Sequence, residues 1–396
     1  MLPSCPYCHR ELPTQPNASQ TDCPYCGGVL QVSLATVAPI LLPPATVQTH
    51  LDRGMKAAKA GQYQLAVSEL TQALRLEPDS AKTLNNRGYA LSACQQYSRA
   101  MADFDRAIEL DAKFTAAWNN RGLARIAQGD YTQAITDFDT ALRLDSTMMT
   151  AQLNRGLAHA ALANYPDAIA DFNHVVQAQP RQPNAYHNRA FSYTALGEFE
   201  KALADYSTAI PLRPEFAVSW YNRGFVQTLL GDYPSALTDY NSAIERDPTL
   251  WHARYQRADL HRICGRIADA VADFDATIQL RPAFMPAWLH RGECHLVTTK
   301  NAAAIADFTA VIQLAPDQPI GYKNRGLARM ASSDVGGAIE DFTNAIRRDT
   351  HYAEAFHQRG LAYRLLGDNE KSRADLREAR RLNPHVADEV NDQPHV

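Results

Sequence analysis

Hydrophobic and small side chains recur along this chain every 34 residues. In a unit counted from residue 115, positions 20, 24 and 27 hold Ala134, Phe138 and Ala141. These positions are three or four residues apart, so their side chains share one face of a helix. Position 8 is Gly in eight units and Ala in two, and position 20 is Ala in nine. Small residues at both positions let two helices approach closely, so each unit is predicted to be a packed pair of helices.

The turn between the two helices is predicted near position 15. This position is Gly in six units, and Gly is the residue that favours the end of a helix. Position 7 is Arg in all ten units, without a slip in register: Arg53, Arg87, Arg121, Arg155, Arg189, Arg223, Arg257, Arg291, Arg325 and Arg359. A fixed period near 34 residues indicates stacked helical repeats, in which each unit packs on its neighbours.

The order of aromatic, Gly, Ala and Pro positions resembles the pattern of the tetratricopeptide repeat. The unit from residue 217 shows it in full, with Trp220, Gly224, Ala236, Tyr240, Ala243 and Pro248. The resemblance implies an all-α, right-handed superhelical solenoid of ten helix-turn-helix units, with the first helix of each unit on the concave side. The units are 47–80, 81–114, 115–148, 149–182, 183–216, 217–250, 251–284, 285–318, 319–352 and 353–386, and a tail follows at 387–396.

A second periodic feature is an acidic residue at position 23, which is Asp in nine units and Glu69 in the first. In an antiparallel hairpin folded about position 15, positions 7 and 23 are equally distant from the turn. We therefore predict an Arg–carboxylate pair in every unit, either within it or to the neighbouring unit. Arg favours such pairs because its planar guanidinium donates two parallel hydrogen bonds to a carboxylate.

Two Cys-x-x-Cys pairs stand near the N-terminus, separated by fourteen residues: Cys5, Cys8, Cys23 and Cys26. Four thiolates at this spacing are typical of a structural zinc site. Residues 1–28 resemble a zinc ribbon, and residues 29–46 are interpreted as a linker. Iron in the same thiolate cage stays open as an alternative.

Each Cys pair also matches the Cys-Pro-Tyr-Cys redox motif of glutaredoxins. That motif needs a βαβ context and a helix that starts after the first Cys, and this short segment has no room for either. Zinc is therefore favoured over redox chemistry. Residues 1–46 carry one basic side chain, Arg10, against Glu11 and Asp22, so the ribbon is not expected to bind nucleic acid, whose phosphates require neutralisation.

Composition narrows the function classes further. The chain has 39 Lys and Arg against 43 Asp and Glu, a net charge of −4, which predicts no general attraction to nucleic acid or anionic membranes. No apolar run approaches the ~20 residues of a membrane helix. Cys94, Cys264 and Cys294 are scattered, so a reduced, cytoplasmic setting is expected. Ribbon and repeats leave only the short tail unassigned, so the protein is not expected to be an enzyme.

The concave side is the expected place for a ligand. Position 6 is Asn in six units, and an Asn amide can pair with both edges of a peptide backbone: Asn86, Asn120, Asn154, Asn188, Asn222 and Asn324. This pattern resembles the asparagine ladder in the repeats of O-GlcNAc transferase, which grips an extended peptide. In the alternative interpretation, these Asn side chains bond to neighbouring helices. Aromatic residues add an apolar middle section, with Phe191, Tyr221, Phe225 and Tyr255.

Two functions follow from these features. The first is a protein–protein interaction scaffold that binds a partner's peptide segment in the concave groove and carries a structural zinc ion. The second is a metal-handling or thiol-redox protein that acts through the two Cys pairs, with the repeats as a targeting module. The sequence favours the scaffold, because ten repeats cover most of the chain and the Cys pairs lack a redox fold.

Overall fold

The structure is a computed structural model, which describes residues 20–22, 29–31 and 46–386. Two short strands, β1 (Gln20–Asp22) and β2 (Val29–Gln31), pair antiparallel, with Asp22 opposite Val29. Twenty helices follow: α1 (Val47–Lys59), α2 (Tyr63–Leu76), α3 (Ala81–Ala93), α4 (Tyr97–Leu110), α5 (Thr115–Ala127), α6 (Tyr131–Leu144), α7 (Met149–Ala161), α8 (Tyr165–Ala178), α9 (Pro183–Ala195), α10 (Phe199–Leu212), α11 (Ala217–Leu229), α12 (Tyr233–Arg246), α13 (Trp251–Ile263), α14 (Ile267–Leu280), α15 (Met285–Val297), α16 (Asn301–Leu314), α17 (Pro319–Ala331), α18 (Val335–Arg348), α19 (Ala353–Leu365) and α20 (Asn369–Leu382).

The helices form ten hairpins, which we number repeats 1 to 10 and whose two helices we call A and B. The chain divides into two compact units, residues 1–180 with α1–α8 and residues 181–396 with α9–α20. Within each unit, helix A packs against helix B of its own repeat, and helix B packs against helix A of the next. The predicted all-α fold of ten helical pairs is confirmed.

Close contact between helices A and B explains the small residue at position 8. A Cβ atom added to Gly122 would lie 2.7 Å from Cε1 of Phe138, the fully buried aromatic residue at position 24. The same close approach recurs at Gly88 and Phe104. The aromatic ring therefore occupies the space that a larger residue at position 8 would need, and the two helix axes come close together.

Every hairpin turn places position 15 in the left-handed backbone region. Six repeats have Gly there, and four have Gln95, Ala163, Thr299 and Ser333, with φ between 56° and 64°. Non-glycine residues pay a steric cost in this region, because Cβ approaches the following carbonyl oxygen. The turn geometry is thus fixed by the packing of the two helices and is kept even where the local residue disfavours it.

The Arg–carboxylate pairs are present in repeats 2 to 10. Each Arg at position 7 donates through Nε and Nη2 to both oxygens of the Asp at position 23 of its own repeat, at 2.5–3.1 Å. The Asp side chains are buried and the Arg side chains partly so; Asp137 is 1% exposed. Repeat 1 departs from the prediction, because Arg53 is exposed and Glu69 pairs with Nδ1 of His50 at 2.7 Å.

The remaining Arg nitrogen, Nη1, links successive repeats. In eight repeats it donates to the side chain at position 25 of the preceding repeat, at 2.5–3.4 Å. The acceptors are Thr71, Asp105, Asp139, Ser207, Asn241, Asp275, Thr309 and Thr343. The Arg–carboxylate pair within the repeat is therefore confirmed for repeats 2 to 10. The same guanidinium also ties its hairpin to the preceding one, through a carboxylate in three of these eight cases.

Several predicted segments fall outside the described residues. The four cysteines of the predicted zinc site, most of the linker and the tail at 387–396 belong to them. Strand β1 lies within the predicted ribbon of residues 1–28, whereas β2 begins the segment that was interpreted as a linker. In the sequence, the second Cys pair stands between the two strands.

Candidate functional site

A cavity of about 450 Å³ opens on the helix A surface of residues 181–396. Its volume falls within the range of small-molecule and side-chain pockets. We call it the aromatic pocket and define it by its lining: Phe191, Thr194, Tyr206, Val218, Tyr221, Asn222, Phe225, Leu250 and His252. Four of the predicted ligand-contacting residues, on α9 and α11, thus lie together in one site.

The pocket combines exposed and buried aromatic rings. Phe191 is 48% exposed, whereas Tyr206 on α10 is only 1% exposed and lies at the base. Burial raises the pKa of Tyr206, and the Thr194 and Asn222 side chains beside its hydroxyl oxygen offset part of that rise. The hydroxyl is therefore neutral at physiological pH. Asn222 lines the same pocket, and its amide can both donate to and accept from a ligand.

The asparagines of residues 1–180 are engaged with one another. Nδ2 of Asn120 donates to Oδ1 of Asn85 at 2.9 Å, and Nδ2 of Asn154 donates to Oδ1 of Asn119 at 3.0 Å. Nδ2 of Asn86 is buried and has no hydrogen-bond partner among the described residues. For Asn120 and Asn154 the structure follows the alternative interpretation, in which the amide joins neighbouring helices.

Three further predicted contacts lie in residues 181–396 but do not line the aromatic pocket. Asn188 is partly exposed on α9. Tyr255 packs its ring against Phe274 and Phe284, and burial raises its pKa to about 12. Asn324 is 5% exposed, so little of its surface can contact a ligand.

Charged pairs cover the helix A surface beyond the pocket. Arg262 pairs with Asp259 at 2.7 Å, and Lys323 with Glu354 at 3.2 Å. Glu293 lies 3.3 Å from Nδ1 of His290. Burial alone would raise the pKa of Glu293, but His290 and the cations around it outweigh burial and hold that pKa below its ordinary value. The surface from α13 to α19 is therefore charged but largely self-neutralised.

The described residues contain neither a metal-binding cluster nor a membrane-spanning helix. No group of three or more His, Cys, Asp or Glu side chains there has the arrangement of a metal site. Within the same residues, no helix has the length and apolar character needed to span a membrane.

Family models of the tetratricopeptide repeat match most of the repeat region. One model matches residues 51–113, 119–183 and 255–319, and three others match 192–231, 217–250 and 353–386. The chain is a tetratricopeptide repeat protein. A search of curated proteins gives no match.

The fold is shared with a solved tetratricopeptide repeat structure, and two further structures align with lower TM-scores. The C-terminal part of a repeat protein from Cytophaga hutchinsonii aligns over 61% of this chain and all of its own, with 20% identity and a TM-score of 0.53. A repeat protein from Parabacteroides merdae covers 63% of this chain and 98% of its own, with 23% identity and a TM-score of 0.45. YrrB, described as having an unusual peptide-binding site, covers 46% and 95%, with 22% identity and a TM-score of 0.40.

Several residues that line the aromatic pocket of this tetratricopeptide repeat protein were not predicted from the sequence. Val218 and His252 occupy position 2 of successive repeats, and Leu250 is the last residue of repeat 6. One sequence signal was available: position 24 is Tyr only in repeats 5 and 6, at Tyr206 and Tyr240, where the other repeats have Phe or Leu. A hydroxyl at a fully buried position requires polar surroundings. Thr194 and Asn222 lie beside the Tyr206 hydroxyl, and Thr228 hydrogen-bonds to the Tyr240 hydroxyl at 2.9 Å.

Proposed function

We propose that the protein is an interaction scaffold and that the helix A surface of residues 181–396 binds a peptide segment of a partner. The aromatic pocket carries this proposal, because a preformed, mainly apolar cavity with one oriented amide is the arrangement that anchors a side chain and its backbone. Family membership supports a binding role, but it does not name the partner.

The pocket also defines the chemistry of the peptide. Phe191, Tyr221 and Phe225 offer faces and edges for a bulky apolar side chain, which prefers offset or edge-to-face contact with aromatic rings. Asn222 is placed to pair with the peptide backbone beside that anchor. The adjoining charged pairs, such as Arg262 with Asp259, favour a polar continuation of the same peptide.

A displayed library of random peptides, selected on the full-length protein, tests the proposal. Enriched peptides should share a bulky apolar residue, and Phe225→Ala or Asn222→Ala should weaken a labelled peptide at least tenfold in fluorescence anisotropy. Leu123→Ala is the matched control, because Leu123 occupies the same position 9 in repeat 3 and is 38% exposed. Peptides that bind the Phe225→Ala protein as tightly as the wild type would refute the pocket as the binding site.

We further propose that Cys5, Cys8, Cys23 and Cys26 hold one structural zinc ion. The spacing of the Cys pairs supports this assignment, as does the antiparallel pairing of β1 with β2, which flank the second pair. Four thiolates suit zinc and complete its tetrahedral shell, so the ion would stabilise the N-terminal segment and leave no open position for chemistry.

A further inference from the structure

A row of exposed aliphatic side chains follows the hairpin turns of repeats 6 to 10. It lies at position 13, the last residue of helix A, and we call it the turn ridge: Leu229, Ile263, Val297, Ala331 and Leu365. Leu229, Ile263, Val297 and Leu365 are between 45% and 67% exposed. Leu230 and Leu366, at position 14, extend it and are 43% and 59% exposed. Exposed apolar side chains that recur on successive turns mark an interaction site more often than isolated ones do.

Folding of the repeats does not explain the turn ridge. Position 13 of repeats 1 to 4 holds Lys59, Ala93, Ala127 and Ala161. The A helices of these repeats are thirteen residues long, as are those of repeats 6 to 10. A methyl group or a Lys side chain therefore suffices at this position. The larger aliphatic residues of repeats 6, 7, 8 and 10 add apolar surface that faces solvent.

Charged residues beside the turn ridge follow an ordered sequence. Position 16, three residues further along each turn, is Arg266, Lys300, Asp334 and Asp368 in repeats 7 to 10, and Asp232 in repeat 6. The two basic residues thus precede the two acidic ones in repeats 7 to 10. Such an order is self-complementary, because reversing the direction of the row places each basic residue opposite an acidic one.

We propose that the turn ridge is the interface between two copies of this chain. A two-fold axis perpendicular to the ridge, between the turns of repeats 8 and 9, runs the two ridges antiparallel. Repeat 7 of one copy then faces repeat 10 of the other, with Ile263 opposite Leu365 and Arg266 opposite Asp368. Repeat 8 faces repeat 9, with Lys300 opposite Asp334. An isologous interface of this type pairs one patch with itself and closes at two copies.

Local partners of the acidic residues leave room for this pairing. Asp334 and Asp368 cap α18 and α20 by accepting backbone hydrogen bonds from Gly337 and Lys371. Asp368 also pairs with the exposed side chain of Lys371, and Oδ2 of Asp334 lies 3.7 Å from Nε of Arg329. A carboxylate has two oxygens and about four acceptor sites, so a cap and a cross-copy pair are compatible. The ridge shares no residue with the aromatic pocket, so this inference is independent of peptide binding.

Sedimentation equilibrium of the full-length protein tests the proposal. The wild type should reach twice the mass of the chain at micromolar concentration, and Ile263→Lys with Val297→Lys should remain a monomer. Lys59 shows that repeat 1 accepts Lys at position 13, so the variant should fold. Ala127→Lys with Ala161→Lys is the matched control and should dimerise as the wild type does. A monomeric wild type, or a dimer that survives the ridge substitutions, overturns the proposal.

Charge reversal tests the antiparallel register. Arg266→Glu with Lys300→Glu leaves only acidic residues at position 16 of repeats 7 to 10, and Asp334→Lys with Asp368→Lys leaves only basic ones there. Each variant alone should dimerise at least tenfold more weakly than the wild type, and an equimolar mixture should form heterodimers. Circular dichroism checks that the second variant keeps its helices after losing two caps. A mixture that stays monomeric excludes this register.

Discussion

The paired Arg and Asp residues make a sharp prediction about local stability. In repeat 6, Nε and Nη2 of Arg223 donate to the two oxygens of Asp239 at 2.7 and 2.8 Å. The Asp239 side chain is 3% exposed and the Arg223 side chain is 20% exposed. Removing one partner of a buried pair costs about 3–5 kcal/mol, because the charge that remains has lost its solvation and its partner.

The difference in burial sets the order of the two single variants. Arg223→Leu leaves a carboxylate that water hardly reaches, so we expect a loss near the upper end, about 5 kcal/mol. Asp239→Leu leaves a guanidinium that reaches solvent and retains its contact with Ser207, so we expect about 3 kcal/mol. The double variant should lose less than the two single losses combined, because no unpaired charge is left.

Hydrogen exchange measured by mass spectrometry is the suitable assay, because long repeat arrays unfold in parts and a single unfolding free energy is then poorly defined. Exchange in α11 and α12 should accelerate roughly 10²- to 10³-fold or more, at 1.4 kcal/mol for each factor of ten. Arg53→Leu is the matched control, because Arg53 is exposed and Glu69 pairs with His50. Equal acceleration of repeats 1 and 6 by their respective Arg substitutions would refute the reasoning.

Four further predictions use other parts of the chain. Ala163→Gly should stabilise repeat 4 by about 1 kcal/mol in thermal unfolding, because Ala163 has φ of 57°. Burial and Arg213 lower the pKa of His187 to about 4, so the unfolded chain binds more protons than the folded one between pH 6.5 and 4. Hydrogen exchange should therefore show that the free energy of unfolding of repeat 5 falls by on the order of 3 kcal/mol as the pH is lowered over that range. His187→Asn should remove this pH dependence. Burial raises the pKa of Cys294 to about 11, so iodoacetamide should label the exposed Cys264 first, as read by peptide mass spectrometry. Elemental analysis should find one zinc ion per chain, and Cys5→Ser should lower that content.

The hairpins and their register could be predicted because the same pattern of packing residues occurs in all ten repeats. A small residue at position 8, a buried aromatic at position 24 and a turn at position 15 each describe one contact between helices A and B. Since helix A contacts helix B mainly within one unit, the periodic pattern holds all the information that this contact needs. The aromatic pocket was partly predictable for the same reason, because Phe191, Phe225 and Tyr221 occupy inner positions of helix A.

Contacts between repeats were less accessible to sequence reasoning. An Asn at position 6 can face the groove or bond to a neighbouring helix A, and the partner available on that helix decides which. Asn120 donates to Asn85 on α3 in residues 1–180, whereas Asn222 lines the aromatic pocket. Arg53 does not pair with the acidic residue of its own repeat, because Glu69 pairs instead with His50, one turn earlier on α1. Such competition between individual side chains cannot be predicted from a periodic pattern.

The Arg links between successive repeats divide the array into stronger and weaker junctions. The third guanidinium nitrogen meets a carboxylate at Asp105, Asp139 and Asp275, and meets a hydroxyl or an amide at the other five described junctions. All eight bonds have the charged guanidinium as donor, but only a carboxylate acceptor adds the attraction of an opposite charge. Under a pulling force or in denaturant the array should therefore separate first where the acceptor is neutral. Repeats 2 to 4 should then stay together as one block and repeats 7 and 8 as another, because the three junctions within these blocks resist separation most.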